Sequence, residues 1–277
     1  MTDVFCIGEM VIDFTPGAEK NSYIKNPGGA PANVAIALSR LGKTVAFCGK
    51  VGNDDFGRFL QDTLRRNGVS IACTEPTDEA VTTMAFVTLH EDGNRSFTFA
   101  RKPGADMLLS VSEIKKKDIE GCRIVHAGSC SLSAGPAREA SAYAMRLGRE
   151  LGKLVSFDVN YRAPQWKTPN ECAAQIREVL PFVDLLKISD EEAFLLGGEE
   201  ALFAVMREYG VSLIVLTCGK RPAKAFLNGG VLVQPVPDAK VLDTTGAGDA
   251  FWGAVLAALL DRGVTAADEL TDDIVQN

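Results

Sequence analysis

Short apolar, β-branched runs alternate with amphipathic helical patterns along this chain, and that alternation most constrains its fold. The runs that predict strands are Val4–Gly8, Thr44–Cys48, Arg123–Ala127, Leu154–Asp158, Asp184–Ile188 and Leu213–Thr217. The segments between them that predict helices are Ala32–Leu41, Phe56–Asn67, Pro136–Leu151, Asn170–Leu180 and Ala201–Tyr209. Alternation of this kind predicts an α/β fold, with a parallel sheet covered by helices on both faces in three αβα layers.

One segment departs from this rhythm. Apolar and polar residues alternate with a period of two in Thr82–His90 and in Arg95–Ala100. Between these two runs lies Asp92-Gly93, which is a strong hairpin signal. Together with Phe14–Ile24, this segment predicts a small antiparallel β lid beside the main sheet.

Composition limits the classes of function. A chain of 277 residues with 46% apolar content can bury a full core, and its net charge of −7 argues against a nucleic-acid or anionic-membrane surface. Its start lacks the pattern of a secretory signal, and its longest apolar stretch, around Trp252–Leu260, is too short to span a bilayer. We therefore expect a cytoplasmic protein.

The sequence offers few histidines, and no cysteines at metal-binding spacing, for metal binding or nucleophilic catalysis. The seven cysteines include no C-x-x-C pair, and only His90 and His126 are present. The serine-containing turn Gly128–Leu132 does not match the G-x-S-x-G nucleophile elbow. Zinc sites and hydrolytic triads are therefore disfavoured.

The stretch Asp243–Phe251, DTTGAGDAF, places an acid directly after two glycines and ahead of an apolar helical run. It admits two interpretations. Asp249 could be an ordinary helix N-cap, which stabilises a helix by about 1 kcal/mol. Alternatively, the amides of Gly246, Ala247 and Gly248 form an anion hole while Asp249 accepts a proton from an attacking hydroxyl, which is what phosphoryl transfer requires.

Two further glycine-containing turns accompany this stretch. Asn26–Asn33, NPGGAPAN, leads into a helix of small residues, and Val51–Gly57 follows the next predicted strand. With DTTGAGDAF they resemble the PfkB, or ribokinase-like, family of carbohydrate kinases, over nearly the whole chain. The segments Arg95–Asp106 and Phe157–Arg162 resemble the fructokinase branch. The resemblance implies a single ribokinase-like domain over residues 1–277, with a lid contributed by about 14–32 and 80–105.

The resemblance also implies a sugar site. Asp13 and Asn33 would bind sugar hydroxyls, and Arg101 would reach the substrate from the lid. Gly28 and Gly29 would bring the backbone close to the sugar. The implied substrate-binding residues are Asp13, Gly28, Gly29, Asn33, Arg101, Asp158, Asn160 and Arg162. The alternatives are that Asp13 is a solvated turn acid, that Asn33 is a plain cap and that Arg162 forms a surface ion pair.

On the nucleotide side, the resemblance implies ATP, Mg²⁺ and, in many members, a monovalent cation such as K⁺. ATP would contact Lys187, Ser189, Thr217 and Gly219, Glu192 would order Mg²⁺ through water, and Asp243 with Thr245 would hold the monovalent cation. Ser189 stands where the family usually has Asn, and Pro222 where a further Gly is typical. Relatives usually continue past Val275–Asn277 with a helix and turn that help enclose the adenine, so weaker nucleotide binding is expected if the chain is complete.

The resemblance therefore predicts an ATP-dependent sugar kinase, with fructose as the first candidate substrate. The alternatives are a 2-keto-3-deoxygluconate kinase, a ribokinase or nucleoside kinase and, in a different class, a catalytically silent relative that binds a sugar or a protein. Expected partners are the sugar and ATP, without nucleic acid or membrane. Because the lid is apolar on one face, we also expect a homodimer formed through the lid.

Overall fold

The structure is a computed structural model that describes residues 2–19, 21–72, 75–89, 95–227, 230–237 and 244–276. Within these ranges the strands, in chain order, are β1 (Val4–Ile7), β2 (Val11–Pro16), β3 (Tyr23–Gly28), β4 (Val45–Cys48), β5 (Ser70–Ile71), β6 (Met84–Leu89), β7 (Arg95–Ala100), β8 (Ile124–Gly128), β9 (Leu154–Asp158), β10 (Leu185–Ser189), β11 (Leu213–Cys218), β12 (Arg221–Leu227) and β13 (Gly230–Gln234). The helices are α1 (Ala30–Arg40), α2 (Asp55–Arg66), α3 (Lys116–Glu120), α4 (Gly135–Glu150), α5 (Pro169–Val179), α6 (Leu202–Tyr209), α7 (Ala247–Asp261) and α8 (Asp272–Gln276).

The large sheet has the strand order β13-β12-β11-β10-β9-β8-β1-β4-β5. The seven strands from β11 to β5 in that order pair in parallel, and β12 and β13 extend the sheet as an antiparallel hairpin. The short β-branched strands are buried on both faces, which is why they lack a polar alternation. The predicted α/β fold is confirmed.

Two apolar layers cover the faces of this sheet. Side chains of α1, α2 and α7 form one layer with alternate residues of β1, including Val4 and Cys6. The helices α4, α5 and α6 form the other layer with the intervening residues, including Phe5 and Ile7. The core thus lies on both sides of a sheet whose successive side chains point in opposite directions.

The smaller sheet, the lid, has the order β3-β2-β6-β7. It consists of two antiparallel hairpins, β2–β3 and β6–β7, that are joined by a parallel pairing of β2 with β6. One lid face packs on α2, where Phe14 stacks on Phe86 with ring centroids 5.0 Å apart and meets the ring of Phe56 at 5.8 Å. The predicted small sheet of antiparallel hairpins is confirmed, and its strands lie within residues 11–28 and 84–100.

The carboxyl ends of the parallel strands meet along one edge of the large sheet. Asp158 ends β9, Ser189 ends β10, and Thr217 lies near the end of β11. Open α/β sheets bind their ligands outside this edge, so a ligand site is expected there. None of the helices in the described ranges is long and apolar enough to cross a bilayer.

Candidate active site

A cavity of about 600 Å³ lies at the carboxyl edge of the large sheet, beside the lid. Its walls come from the chain between β1 and β2, from the start of α1, from the segment after β9 and from the start of α7. The described residues that line it are Glu9, Val11, Asp13, Gly29, Ala30, Asn33, Phe99, Cys130, Asn160, Tyr161, Arg162, Ala163, Pro164, Gln165, Glu191, Thr244, Thr245, Gly246 and Asp249. Polar groups from distant regions of the chain therefore converge on one space.

Asp249 stands in the first turn of α7, but it is not the N-cap of that helix. Gly246 occupies the N-cap position with a φ of 72°, in the left-handed region that favours glycine, and α7 begins at Ala247. The carboxylate of Asp249 accepts a hydrogen bond of 2.8 Å from Nδ2 of Asn33. The structure thus removes the N-cap interpretation and leaves this carboxylate in the wall of the cavity.

The start of α7 also offers backbone donors. The first i to i−4 bond of the helix runs from the amide of Ala250 to the carbonyl of Gly246, so the amides before it have no partner within the helix. The Ala247 amide donates to the Thr244 carbonyl at 3.1 Å. The amides of Gly248 and Asp249, together with the positive end of the helix dipole, suit an anion at this position.

Close packing of α1 against α7 holds Asn33 and Asp249 together. One turn beyond each of them, a Cβ added at Gly253 would lie only 2.8 Å from the Cβ of Ala37. The indole N–H of Trp252 also donates to the Ser156 hydroxyl of β9 at 2.8 Å, which anchors α7 to the sheet. The small residues let the two helix starts approach each other at the cavity.

The two glycines before α1 allow the chain to approach the site closely. A Cβ added at Gly29 would overlap the backbone of Glu9, and the φ of Gly29 is +107°. A Cβ added at Gly28 would overlap the carboxylate of Asp13, which pairs with Asn26 across β2 and β3. Gly29, Asp13 and Asn33 line the cavity, whereas Gly28 shapes the strand behind Asp13.

Asp158 and Lys187 form a buried ion pair beneath the start of α7. The Lys187 ammonium donates to both oxygens of Asp158 at 2.9 Å, and the two residues are 0% and 5% exposed respectively. A Cβ added at Gly248 would lie 3.3 Å from Nζ of Lys187. Both oxygens of the predicted sugar ligand Asp158 therefore accept from Lys187, and Oδ1 also accepts from the Asn160 amide at 3.2 Å. The lysine brings a positive charge close to the start of α7.

The predicted arginines have different positions. Arg162 lines the cavity with Asn160, whose φ of 34° is in the left-handed region. Arg101 is not among the described residues that line the cavity: its guanidinium donates to the Asp106 carboxylate, the Ser133 hydroxyl and the Cys130 carbonyl. Arg101 thus ties the lid to the main domain, and its predicted contact with substrate stays a prediction.

Burial and neighbouring charges shift the pKa values of the two acids in the cavity. Burial raises the pKa of Asp13 to about 6; Arg162 opposes this shift and Asp249 reinforces it. Burial, followed by the charge of Asp158, also raises the pKa of Asp249, against the opposing effects of Asn33, Lys187 and Arg162. A raised pKa makes a carboxylate a better proton acceptor near neutral pH.

The predicted nucleotide residues lie along the ends of β10 and β11. The Glu192 carboxylate accepts from the Tyr161 amide at 2.7 Å and from the Ser189 amide at 2.9 Å, so it is fixed in place with lone pairs to spare. Lys187 lies on β10, Thr217 on β11, and Gly219 follows with a φ of 60°. Of the predicted monovalent-cation site, Thr245 lines the cavity and Asp243 lies outside the described residues.

Glu9 is a cavity residue that the sequence reasoning missed. It is 4% exposed, and burial raises its pKa from 4.5 to about 7. The available signal was the two-residue spacing of Glu9, Val11 and Asp13, which places alternate residues of an extended segment on one face.

Glu9 should make the stability of the fold depend on pH. Between pH 4.5 and about 7 the folded chain keeps a proton on Glu9 that the unfolded chain has lost, so this residue's contribution to stability falls as pH rises. We expect Glu9→Gln to become more stable relative to the wild type across that window, by up to roughly 3 kcal/mol. Urea unfolding of both proteins from pH 4.5 to 8 measures this difference, and a difference that stays constant with pH would contradict it.

Comparison with known proteins assigns the chain to a family. The family model for pfkB family carbohydrate kinases matches residues 1–269. The chain belongs to this family. A curated relative, fructokinase-1 of Zea mays, is 40% identical over 276 residues, which cover 96% of this chain and 85% of the relative.

Solved structures of the family superpose closely on the chain. A fructokinase with bound ATP from Xylella fastidiosa has a TM-score of 0.87 at 31% identity, covering 99% of this chain and 84% of that one. A double mutant of the fructokinase from Vibrio cholerae O395, bound to fructose, ADP and a potassium ion, has a TM-score of 0.88 at 34% identity, with 99% and 87% covered. The recognised family and the ribokinase-like architecture are thereby confirmed, and this pfkB carbohydrate kinase is an ATP-dependent sugar kinase.

Proposed function

We propose that this pfkB kinase is a fructokinase that transfers the γ-phosphoryl group of ATP to a hydroxyl of fructose. The observation that carries the proposal is the position of Asp249: its carboxylate is held by Asn33 in the wall of the cavity that Asp13 and Arg162 also line. The curated and solved fructokinases that resemble the whole chain support fructose as the substrate.

The sugar would bind between the lid and the start of α1. Asp13 and Asn33 offer a carboxylate and an amide to sugar hydroxyls, and Asn160 and Arg162 offer donors from the segment after β9. The backbone at Gly29 approaches without a Cβ in the way. Such a set can hold a polyol and orient one hydroxyl toward Asp249.

In the chemical step, Asp249 accepts the proton of that hydroxyl while the hydroxyl oxygen of the sugar forms a bond to the γ-phosphorus. The bond from the γ-phosphorus to the oxygen bridging it to the β-phosphorus breaks, and ADP leaves with the electron pair. The amides at Gly248 and Asp249 would stabilise the negative charge of the migrating group, as would the ammonium of Lys187 close beneath them. Burial of the site favours transfer to the sugar over transfer to water.

Metal ions fit the donors that are present. The fixed carboxylate of Glu192 suits Mg²⁺ bound through water, and no group of three or more metal-ligating side chains occurs in the described ranges that would bind a metal without ATP. Mg²⁺ would supply charge neutralisation to the phosphates of ATP. Thr245 would contribute to a site for K⁺ beside the start of α7.

A coupled assay for ADP release tests the proposed function. Fructose, 2-keto-3-deoxygluconate, ribose and adenosine are compared as substrates with Mg²⁺·ATP, and we expect the largest kcat/KM for fructose. A larger value for another member of the panel would replace fructose with that substrate. Calorimetric binding of a sugar without ATP binding or turnover would instead indicate a catalytically silent relative.

We also propose that two copies of the chain pair through their lids. Ile24 pairs with Thr15 across β2 and β3, two residues from Asp13, and therefore lies on the face of the lid opposite to Phe14. Ile24 is 55% exposed on that face, whereas Tyr23 lies on the face of Phe14, where its ring meets Phe14 and Phe86. A second copy would cover Ile24 and leave Asp13 facing the cavity.

Charge placed on this lid face should separate the dimer. We expect the wild type to sediment as a dimer and Ile24→Lys as a monomer, because a lysine in the interface would bury an unpaired charge. Val233→Lys makes the same kind of change on β13, where the side chain is 58% exposed, and should stay dimeric. A monomeric wild type would overturn the proposal.

The cytoplasmic location expected from the sequence stays a prediction.

A further inference from the structure

Glu9 is held in the cavity wall by only one of its two carboxylate oxygens. Oε1 accepts a hydrogen bond of 3.1 Å from the amide of Ala30, the first residue of α1. Gly29, the N-cap residue, makes no side-chain cap, so Glu9 supplies that role from a distant part of the chain. This bond fixes the carboxyl group beside the glycine turn that approaches the sugar.

The other oxygen, Oε2, is buried and makes no hydrogen bond within the residues that the structure describes. A buried polar atom without a partner destabilises a fold, and it does so more strongly when it carries charge. Capping of α1 requires only Oε1, which a neutral amide side chain could also provide. The second oxygen therefore has no structural use that would offset its burial.

The neighbours of Glu9 do not supply the missing partner. Arg101 is close enough to oppose the rise in the pKa of Glu9, but its guanidinium donates to Asp106, Ser133 and Cys130. Asp106 adds a further negative charge, and the Cys130 thiol is directed to the Asn160 carbonyl at 3.7 Å. Among the described residues these neighbours leave Oε2 without a donor, and a ligand in the cavity that Glu9 lines could supply one.

We propose that Oε2 of Glu9 accepts a hydrogen bond from a hydroxyl of the bound sugar, which makes Glu9 a substrate-binding residue in addition to Asp13, Asn33 and Arg162. This inference rests on the proposed function of the cavity as a sugar site. The alternation of Glu9, Val11 and Asp13 along one face of the chain then gives two carboxylates to the sugar with an apolar side chain between them.

Glu9→Gln is the informative variant, because Gln retains an oxygen for the Ala30 amide and replaces the second acceptor with a donor. Calorimetry at a pH above the pKa of about 7 of Glu9, where its side chain is ionised, would measure Kd for fructose and for a panel of deoxyfructoses, each lacking one hydroxyl, with the wild type and the variant. We expect Kd for fructose, and with it KM, to rise roughly 10- to 100-fold, while KM for ATP and kcat change little. One deoxyfructose should bind the wild type more weakly and lose nothing further in the variant.

Asp54→Asn is the matched control. Asp54 caps α2 by accepting from the Gly57 amide at 2.7 Å, also accepts from the amide and hydroxyl of Thr82 at 2.8 Å, and lies outside the cavity lining. Its substitution therefore reports on the loss of a helix-capping carboxylate away from the cavity. Wild-type Kd in Glu9→Gln, or weaker binding whose size is the same for fructose and every deoxyfructose, would overturn the proposal. If another sugar proves to be the substrate, its deoxy analogues replace those of fructose, so the choice of fructose and the role of Glu9 fail separately.

Discussion

Replacing Asp249 with Asn is expected to lower kcat by several orders of magnitude, roughly 10³- to 10⁴-fold, while sugar binding remains close to that of the wild type. An amide cannot accept the proton of the attacking hydroxyl, yet its oxygen can still accept the hydrogen bond that Asn33 donates to Asp249. Steady-state kinetics with fructose and calorimetric binding of fructose separate the two effects.

The pH dependence of kcat gives the same residue a second test. Burial raises the pKa of Asp249 above 3.8, so the acid limb of the wild-type profile should lie above that value, and the Asn variant should lack it. Asp261→Asn makes the same change at the exposed end of α7, where Asp261 pairs with Lys43, and should leave kcat near the wild-type value. Near-normal turnover of Asp249→Asn would contradict the role of this carboxylate as the base.

Replacing Lys187 with Met is expected to damage both the fold and the activity. The substitution leaves the fully buried Asp158 carboxylate without its counter-charge, and breaking a buried ion pair in this way destabilises proteins by about 3–5 kcal/mol. The positive charge beside Gly248 is lost as well. Urea unfolding measures the first effect and kcat at saturating ATP measures the second.

The double variant Asp158→Leu with Lys187→Met distinguishes the structural role from the chemical one. Replacing both charges with apolar side chains should restore most of the stability, because no unpaired charge remains buried, whereas kcat should stay low. Lys116→Met is the surface control, since the pair of Lys116 with Glu120 is exposed and contributes at most about 1 kcal/mol. Recovery of kcat in the double variant would show that the lysine charge does not act on the phosphoryl group.

The strands and helices of the large domain followed from the sequence because their signals are local. Predicted Leu154–Asp158 and observed β9 coincide, and predicted Phe56–Asn67 differs from α2 by one residue at each end. Pairings between distant strands carry no such signal. The parallel pairing of β2 with β6 joins hairpins about 70 residues apart, and which edge meets which depends on how both pack on the main domain.

The site shows the same division between local pattern and packing. The motif around Asp249 and the turn before Asn33 were visible as sequence patterns, but the bond between them joins residues 216 positions apart. Arg101 and Asp158 are of residue types that a sugar site requires, yet both bond within the protein. Arg101 donates to Asp106, Ser133 and Cys130. Both oxygens of Asp158 accept from Lys187.

The α/β architecture, the small second sheet and the family followed from the amino-acid sequence alone, because periodicity and short glycine-rich motifs are properties of neighbouring residues. Contacts between distant segments set which polar groups bond to one another and which of them line the cavity. Asp249 lies in the cavity wall with its pKa raised, and Glu9 lies there with one oxygen unpaired. Both conditions arise from burial and from contacts across the fold, which no local pattern records.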